Sequence, residues 1–296
     1  MSVGSQLDHA HAVCRGVTRR AARNFYYAFL VLPREKRDAL CAVYAFMRQC
    51  DDICDDPALP LAERRARLEA WREELHQVLA GGSTDDPVLF ALADAQRRFQ
   101  IPPELFDKLV EGTAMDLPPA EAGPGAILTF ADFDELYHYC YHVASVVGLV
   151  AIRIFGYRDP KAEPLAERCG IAFQLTNIIR DVGEDAARGR IYLPLSELQR
   201  FDVKAHELTS RAYSPRFTEL MRFQARRALA TYDEALALLP AQDRRAQKPG
   251  LMMASIYRTL LREIERDGFQ VLHQRVSLTP LRKFWLAWKV QALGRL

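Results

Sequence analysis

The sequence lacks an uninterrupted apolar run long enough to span a bilayer, and it lacks a signal-peptide core. Its longest apolar run, residues 143–152, ends at Arg153, and the first sixteen residues have no apolar centre. A zinc-type cysteine pattern is also missing, because Cys50 and Cys54 lie four residues apart without a second pair or a histidine cluster. These absences predict a cytoplasmic protein with buried, reduced thiols.

Strand-like alternation and repeats of fixed period are missing as well. No Gly/Ser-rich or Pro-rich segment is long enough to link two domains. Apolar residues recur with helical spacing instead, and prolines and glycines such as Pro57, Gly81, Pro87 and Pro103 mark helix ends and starts. With 49% hydrophobic residues the chain can bury a large core. The sequence therefore predicts a single all-α domain over residues 1–296.

The periodicity places the helices as follows. They are predicted at about 7–32, from 34 to Pro57, from Pro60 to Gly81, from Pro87, from Pro103, over 130–155, from near Pro164 to about 187, and at about 215–239, 250–267 and 280–293. Residues 118–128 are predicted to be a loop. The segment 130–155 is unusually apolar, so we expect it to be buried on most sides.

Acidic residues are missing after Asp267, although the whole chain has a formal net charge of only +2. That small charge gives no reason to expect nucleic-acid binding. The basic segment 281–296 also contains Phe284, Trp285 and Trp288. Such a helix either lies on the anionic inner face of a membrane as a peripheral contact or packs its tryptophans on the helical bundle. The sequence leaves both interpretations open, and no pattern indicates an oligomeric state.

Carboxylates are crowded in the segment YAFMRQCDDICDD. The side chains that share one helix face there are Tyr44, Arg48, Asp51 or Asp52, and Asp55. Such carboxylates repel one another unless a cation lies among them, and hard oxygen ligands suit Mg²⁺, which commonly bridges to substrate phosphates. A solvated acidic helix end is the alternative, although the helix dipole disfavours acidic residues there.

A second polar face lies in the segment FQLTNIIRDVGED. Its members are Gln174, Asn177, Asp181 and Asp185, and apolar residues surround them. A polar face on such a helix points inward, where an unpaired carboxylate is very costly. A metal cluster shared with the first motif supplies partners; a capped, exposed acidic face is the alternative. We therefore predict a Mg²⁺–diphosphate site between two helices, with the 130–155 helix lining a lipid-sized cavity.

Four segments in this order and spacing resemble the squalene/phytoene synthase family: NFYYAFLVLP, AVYAFMRQCDDICDD, YCYHVASVVG and QLTNIIRDVGEDAARGRIYLP. The resemblance extends from about Arg20 to Arg275, and the last segment is highly specific. It implies the isoprenoid-synthase helical bundle with a central active-site cavity. It also implies a prenyltransferase that joins two identical prenyl diphosphates head to head with several Mg²⁺ ions.

Carried over position by position, the resemblance assigns roles to individual residues. Metal binding falls on Asp51, Asp52, Asp55, Asn177, Asp181 and Asp185. Substrate binding falls on Asn24, Tyr44, Arg48, Gln174, Arg180, Tyr192, Tyr257 and Arg275. The expected catalytic residues are Tyr44, Arg48, Asp51, Asp55, Arg180, Asp181, Asp185 and Tyr257. One departure matters: Ala22 and Asn24 stand where many members have Ser-x-Ser, and Ala22 has no hydroxyl to offer a diphosphate.

The exact substrate is not written in a motif. The segment IRIFGYRDP resembles bacterial enzymes that join two farnesyl diphosphates to presqualene diphosphate or squalene, and this is the first hypothesis. A phytoene synthase that joins two geranylgeranyl diphosphates is the alternative. A noncatalytic assembly factor on the same fold is disfavoured because both acidic motifs are intact. No G-x-G-x-x-G follows a strand, so no motif in the sequence indicates NADPH binding. Family members that use NADPH lack that motif too.

Overall fold

The structure is a computed structural model that describes residues 3–21, 29, 31–118 and 126–293. Its α-helices are α1 (Val3–Ala21), α2 (Arg34–Asp55), α3 (Leu61–Leu79), α4 (Pro87–Phe99), α5 (Pro103–Ala114), α6 (Phe133–Cys140), α7 (Val146–Phe155), α8 (Ala162–Ala187), α9 (Leu195–Arg200), α10 (Ala205–Thr209), α11 (Pro215–Ala237), α12 (Lys248–Arg266) and α13 (Pro280–Leu293). A π-helical segment, Tyr141–Ser145, joins α6 to α7, and a 3₁₀ turn, Ala241–Asp243, precedes α12. The predicted all-α architecture is confirmed.

Helix ends follow from local side-chain chemistry. At the start of α4 the Asp86 carboxylate accepts hydrogen bonds from the backbone N–H groups of Val88 and Leu89, at 2.7 and 3.0 Å. Pro87 occupies the first turn, where no N–H is needed. After α8 the backbone turns at Gly189, whose φ of 73° is readily adopted by glycine. These signals explain why most predicted boundaries fall within a few residues of the observed ones.

Several details differ from the prediction. The first helix was expected to reach residue 32, but residues 31 and 32 form a turn; residues 22–28 and 30 lie outside the described part. The 130–155 helix starts at Phe133 and contains the π-helical segment. The short helices α9 and α10 are too brief to show periodicity. Strands β1 (Leu128–Thr129) and β2 (Arg190–Ile191) pair in parallel, and they were not predicted because two residues cannot show alternation.

The helix that carries the second acidic motif, α8, lies at the centre and packs against α7, α11 and the π-helical segment. Glycines let these backbones approach closely. A Cβ on Gly170 would lie 2.5 Å from the backbone nitrogen of Ser145, and a Cβ on Gly148 would lie 2.7 Å from the carbonyl oxygen of Ala166. The Ser145 hydroxyl also donates a hydrogen bond to the backbone oxygen of Glu167 at 2.8 Å. The apolar helix is therefore held directly against α8.

Residues 133–155 together are long and apolar enough to cross a membrane by length and composition. The uninterrupted apolar run at 143–152 is too short to span a bilayer, but the apolar helix is longer than this run because it continues through Arg153. Half of its most apolar window is buried inside the fold, which is less than the burial on most sides that we predicted. A core helix of a helical protein passes the same test, and this one packs against α5 and α8. We interpret it as a core helix that forms one wall of a cavity.

Candidate active site

The two acidic motifs lie at one end of an apolar cavity of about 250 Å³. Its walls come from α2, the helix over residues 133–155, α8 and the start of α12. Tyr44 of the first motif and Gln174 and Asn177 of the second motif all line it. The two motifs, whose Asp51 and Asp181 are 130 residues apart in the chain, therefore border the same cavity.

In the first motif, two of the four carboxylates have an arginine partner. Arg48 contacts Asp52 at 2.5 Å, and Arg190 donates a hydrogen bond to Asp55 at 2.7 Å. Asp51 is different. Burial raises the pKa of its carboxyl to about 7, and the negative charge of Asp116 acts in the same direction. Asp51 is therefore the member of this motif that most needs a cation when it is ionised.

In the second motif, Asp181 is the residue held by arginines. The guanidinium of Arg180 donates to both of its oxygens, and the Nε atom of Arg275 donates to Oδ1 at 2.9 Å. Arg180 is buried and is also hydrogen-bonded to Tyr257. Burial, followed by the charge of Asp181, raises the pKa of Asp185 to about 7. Each motif thus contains one carboxyl whose pKa is raised by burial, Asp51 or Asp185. Each motif also contains carboxylates that pair with arginines.

Asn177 supplies an independent sign of a missing partner. Its amide nitrogen donates to Oε1 of Gln174 at 3.2 Å. Its carbonyl oxygen, Oδ1, is buried, and no hydrogen-bond partner for it exists among the described residues. Because buried polar atoms are nearly always satisfied in native proteins, an orphaned oxygen at this position is consistent with a ligand that completes the site.

Sequence reasoning missed three residues of this site: Asp116, Tyr139 and Arg190. The Tyr192 hydroxyl donates to Asp116 at 2.7 Å, and the Tyr139 hydroxyl donates to the other oxygen of Asp116 at 3.3 Å. Burial raises the pKa of Asp116, while these hydrogen bonds oppose the rise. Asp116 acts electrostatically on both Asp51 and Asp185, so it lies between the two motifs.

The missed residues differ in how far the sequence could have indicated them. Tyr139 and Arg190 lie in segments that carried the family resemblance, YCYHVASVVG and RGRIYLP, and they could have been included on that ground. Asp116 is an isolated acid after α5, and no spacing distinguishes it. Pairing of β1 with β2, with Leu128 opposite Arg190, brings the RGRIYLP segment close to the chain that follows α5. Only the tertiary structure shows this juxtaposition.

The remaining predicted residues fall in or beside the same region. Tyr192 is buried and bonded to Asp116, rather than open to the cavity. Tyr257 is buried beside Arg180 and acts electrostatically on Tyr44. Arg275 reaches Asp181 from the segment after α12. Asn24 lies outside the described residues, so the structure does not place it.

The donor set fits a divalent cation that is shared with a ligand. Within the described ranges, no three His, Cys, Asp or Glu side chains converge closely enough to hold an ion by themselves. The motifs nevertheless offer carboxylate oxygens from both sides of one opening, together with the orphaned Oδ1 of Asn177. Mg²⁺ prefers such oxygens and usually keeps waters and substrate phosphates in its shell. The residues therefore suit Mg²⁺ bound together with diphosphate, and they do not form a preassembled protein cage.

Comparison with known sequences gives one family. A model of the family described as "Squalene/phytoene synthase" matches residues 18–282. A phytoene synthase from Mycobacterium bovis is 40% identical over 286 residues, which cover 96% of this chain and 91% of the relative. A 15-cis-phytoene synthase from Synechococcus elongatus is 34% identical over 293 residues, which cover 94% of this chain and 91% of the relative.

Solved structures give the same result for the fold. A dehydrosqualene synthase in complex with a ligand superposes with a TM-score of 0.84 at 27% identity, covering 98% of each chain. A squalene synthase from Alicyclobacillus acidocaldarius has a TM-score of 0.78 at 29% identity, covering 90% of this chain and 96% of the other. The helical architecture described above is therefore shared with both proteins over nearly their whole length.

Proposed function

Because the chain belongs to the squalene/phytoene synthase family of prenyltransferases, we propose that it joins two geranylgeranyl diphosphates head to head, as a phytoene synthase. Head-to-head condensation of prenyl diphosphates is the reaction of this family. The choice of substrate is supported by the curated relatives, which are named phytoene synthases at 40% and 34% identity. The enzymes of squalene type among the solved structures are 27% and 29% identical. Condensation of two farnesyl diphosphates, our first hypothesis from sequence, is therefore the second candidate.

The observation that carries the proposal is the position of the apolar cavity. It opens beside Tyr44, Gln174 and Asn177 and continues away from the acidic motifs between apolar walls. A prenyl diphosphate has the same polarity, with a highly charged head and a long apolar tail. The cavity can therefore take the tail, while the head lies among the oxygens and guanidinium groups of the two motifs.

We infer that Asp51, Asp52 and Asp55 on one side, and Asn177, Asp181 and Asp185 on the other, hold Mg²⁺ together with the diphosphate. When bound, Mg²⁺ neutralises charge that develops on the departing diphosphate.

The chain's own cations act on the same group. Arg48, Arg180 and Arg275 now contact carboxylates, and their forked guanidinium groups suit phosphate oxygens equally well. The apolar walls keep water from the allylic cation left after ionisation. Tyr139 and Tyr192 hold Asp116 between the two motifs through their hydroxyl groups.

Product analysis tests the proposed reaction. Purified protein with Mg²⁺ is incubated with geranylgeranyl or farnesyl diphosphate, with and without NADPH, and products are identified by mass spectrometry. We expect diphosphate release and a phytoene-type hydrocarbon from geranylgeranyl diphosphate without NADPH. Preferential turnover of farnesyl diphosphate would support the second candidate instead. If neither substrate released diphosphate, the proposed function would be wrong.

We further infer that the protein is cytoplasmic and binds the inner face of the membrane peripherally through α13. Leu281, Phe284, Trp285 and Trp288 are 82%, 62%, 55% and 47% exposed, and the two indole rings stack on each other with centroids 5.0 Å apart. The packing alternative, in which the tryptophans bury against the bundle, is therefore not supported. No acidic residue follows Asp267, and α13 itself carries Arg282, Lys283 and Lys289, of which Arg282 pairs with Glu263 of α12 at 2.7 Å. The net positive charge of α13 beside its apolar face suits an anionic lipid surface.

A double variant tests this surface. Trp285→Ala with Trp288→Ala is expected to weaken binding to vesicles that contain anionic phospholipid by at least about tenfold, because binding scales with buried apolar area. Co-sedimentation with anionic and with purely neutral vesicles measures the effect, and the wild type should bind the anionic vesicles better. Turnover in detergent micelles should stay unchanged. Equal sedimentation of wild type and variant would contradict the proposed surface.

A further inference from the structure

The far end of the cavity is defined by a few residues. The cavity follows α8 from Asn177 back to Leu165, a distance of twelve residues, or about 18 Å of helix. Asn177 lies at the polar end, and Leu165 lies among apolar side chains that include Phe155. A prenyl tail that enters at the acidic motifs therefore runs toward Phe155. What lies behind that ring decides how long a tail the cavity accepts.

A second, more open pocket lies directly behind Phe155. It has a volume of about 770 Å³ and is lined by polar and basic residues that include Lys36, Arg158 and Arg245. Phe155 and Pro249 line both this pocket and the apolar cavity. Among the described residues, these two form the partition between the pocket and the cavity. Phe155 as a whole residue is only 8% exposed, so most of its surface is packed inside the fold.

Hydrogen bonds fix the backbone of the partition from two sides. The Lys36 ammonium donates to the carbonyl oxygen of Phe155 at 2.7 Å. The Gln247 amide donates to the carbonyl oxygen of Gly156 at 3.0 Å. Gly156 has a φ of 81°, which ends α7 directly after Phe155. The end of α7 is thus tied to α2 and to the turn before α12, so the position of the Phe155 ring is set by the fold.

Gly250 lies beside this partition and leaves space free. It lines the cavity, and apart from its chain neighbours and the backbone of its own helix turn, no described atom lies within 4 Å of the position that a Cβ would take there. Gly148 and Gly170 also line the cavity, but a Cβ on either one would meet backbone atoms at 2.7 Å or less. Gly148 and Gly170 therefore serve helix packing, whereas the missing side chain of Gly250 adds volume to the apolar end of the cavity.

We propose that Phe155, backed by Pro249, is the stop that limits prenyl chain length, and that Gly250 provides the space for the terminal isoprene unit. This inference rests on the proposed function, because it assumes that a prenyl tail occupies the cavity. The inference holds whether the substrate is geranylgeranyl or farnesyl diphosphate. A single methylene that an apolar pocket cannot accommodate changes specificity by roughly tenfold or more, so a whole isoprene unit is expected to change it at least that much.

Two opposite variants test the stop. Phe155→Ala removes the ring from the partition and lengthens the cavity. We expect the preference for geranylfarnesyl over geranylgeranyl diphosphate to rise by about tenfold or more. Gly250→Phe fills the end of the cavity, and we expect the preference for geranylgeranyl over farnesyl diphosphate to fall by a similar factor. The readouts are kcat/KM for the three diphosphates and, independently, calorimetric affinities for their unreactive S-thiolodiphosphate analogues.

Each variant has a matched control in the same helix. Ile154→Ala also truncates a fully buried side chain of α7, but Ile154 lines neither cavity. Gly250→Ala changes the same position by one carbon only. Both controls should keep the wild-type preference for chain length, even if Ile154→Ala lowers the melting temperature.

The outcomes separate this inference from the proposed function. Unchanged length preference in folded Phe155→Ala and Gly250→Phe proteins, by turnover or by analogue affinity, would overturn the stop while leaving the condensation reaction intact. If the wild type bound the analogues, and the variants shifted the preferred length as stated, but no diphosphate was turned over, the stop would be supported and the proposed reaction would be wrong.

Discussion

Replacing Asp185 by asparagine is expected to lower kcat about a thousandfold while the protein stays folded. Asp185 contributes a carboxylate to the proposed metal site, and loss of one preorganised electrostatic contact to a developing charge typically lowers rates by about a hundredfold to a thousandfold. We place the effect at the upper end because the ligand also positions Mg²⁺. Steady-state release of diphosphate at saturating Mg²⁺ measures the loss, and circular dichroism checks the fold.

The same variant should be more stable than the wild type in the presence of a chelator. Burial raises the pKa of Asp185 to about 7 from an ordinary value of 3.8. The folded state therefore binds this proton more tightly than the unfolded state does, so the ionised carboxyl destabilises the fold. This destabilisation is absent below pH 3.8, grows as the pH rises to about 7 and is complete above it. The gain in melting temperature from Asp185→Asn should thus be larger at pH 8 than at pH 5.

Neighbouring residues provide the controls. Glu184→Gln removes a charge from an exposed side chain in the same motif, so we expect activity within a few fold of the wild type. Asp181→Asn should behave differently from Asp185→Asn, because Asp181 is the partner of the buried Arg180. Breaking a buried pair typically costs about 3–5 kcal/mol, so this variant should lose stability as well as activity. An active Asp185→Asn protein would contradict the metal-site assignment.

Replacing Gly170 by alanine is expected to destabilise the protein by about 3 kcal/mol, which corresponds to a fall in melting temperature of roughly 5 °C for a chain of this length. The added Cβ would lie 2.5 Å from the backbone of Ser145, a distance that real Cβ contacts do not show. Backbone atoms cannot rotate away as a flexible side chain can, so α8 and the π-helical segment must separate. Thermal unfolding followed by circular dichroism measures the change.

Gly250→Ala is the matched control, since it makes the same chemical change at another glycine that lines the cavity. Apart from its chain neighbours and the backbone of its own helix turn, no described atom lies within 4 Å of its Cβ position, and alanine favours a helix by about 1 kcal/mol over glycine. We therefore expect an unchanged or slightly higher melting temperature. Equal destabilisation by both substitutions would show that close backbone packing at Gly170 is not the cause.

Several properties followed from the sequence alone because they depend on residues close together in the chain. Helical periodicity and capping residues such as Asp86 determined the all-α fold and most helix boundaries. The spacing of Asp51 and Asp55, and of Asn177, Asp181 and Asp185, predicts that each acidic set lies on one helix face. The family assignment followed for the same reason, since its signatures are short and contiguous.

Other properties were decided only by the tertiary structure, because they depend on contacts between distant segments. Asp116 joins the site through Tyr139 and Tyr192, and no local pattern marks it. Phe155 and Pro249, nearly a hundred residues apart in the chain, both line the end of the cavity. The proposed diphosphate chemistry thus depends on local helix faces, whereas the proposed limit on tail length depends on how the end of α7 lies against the start of α12, which spacing along one sequence cannot show.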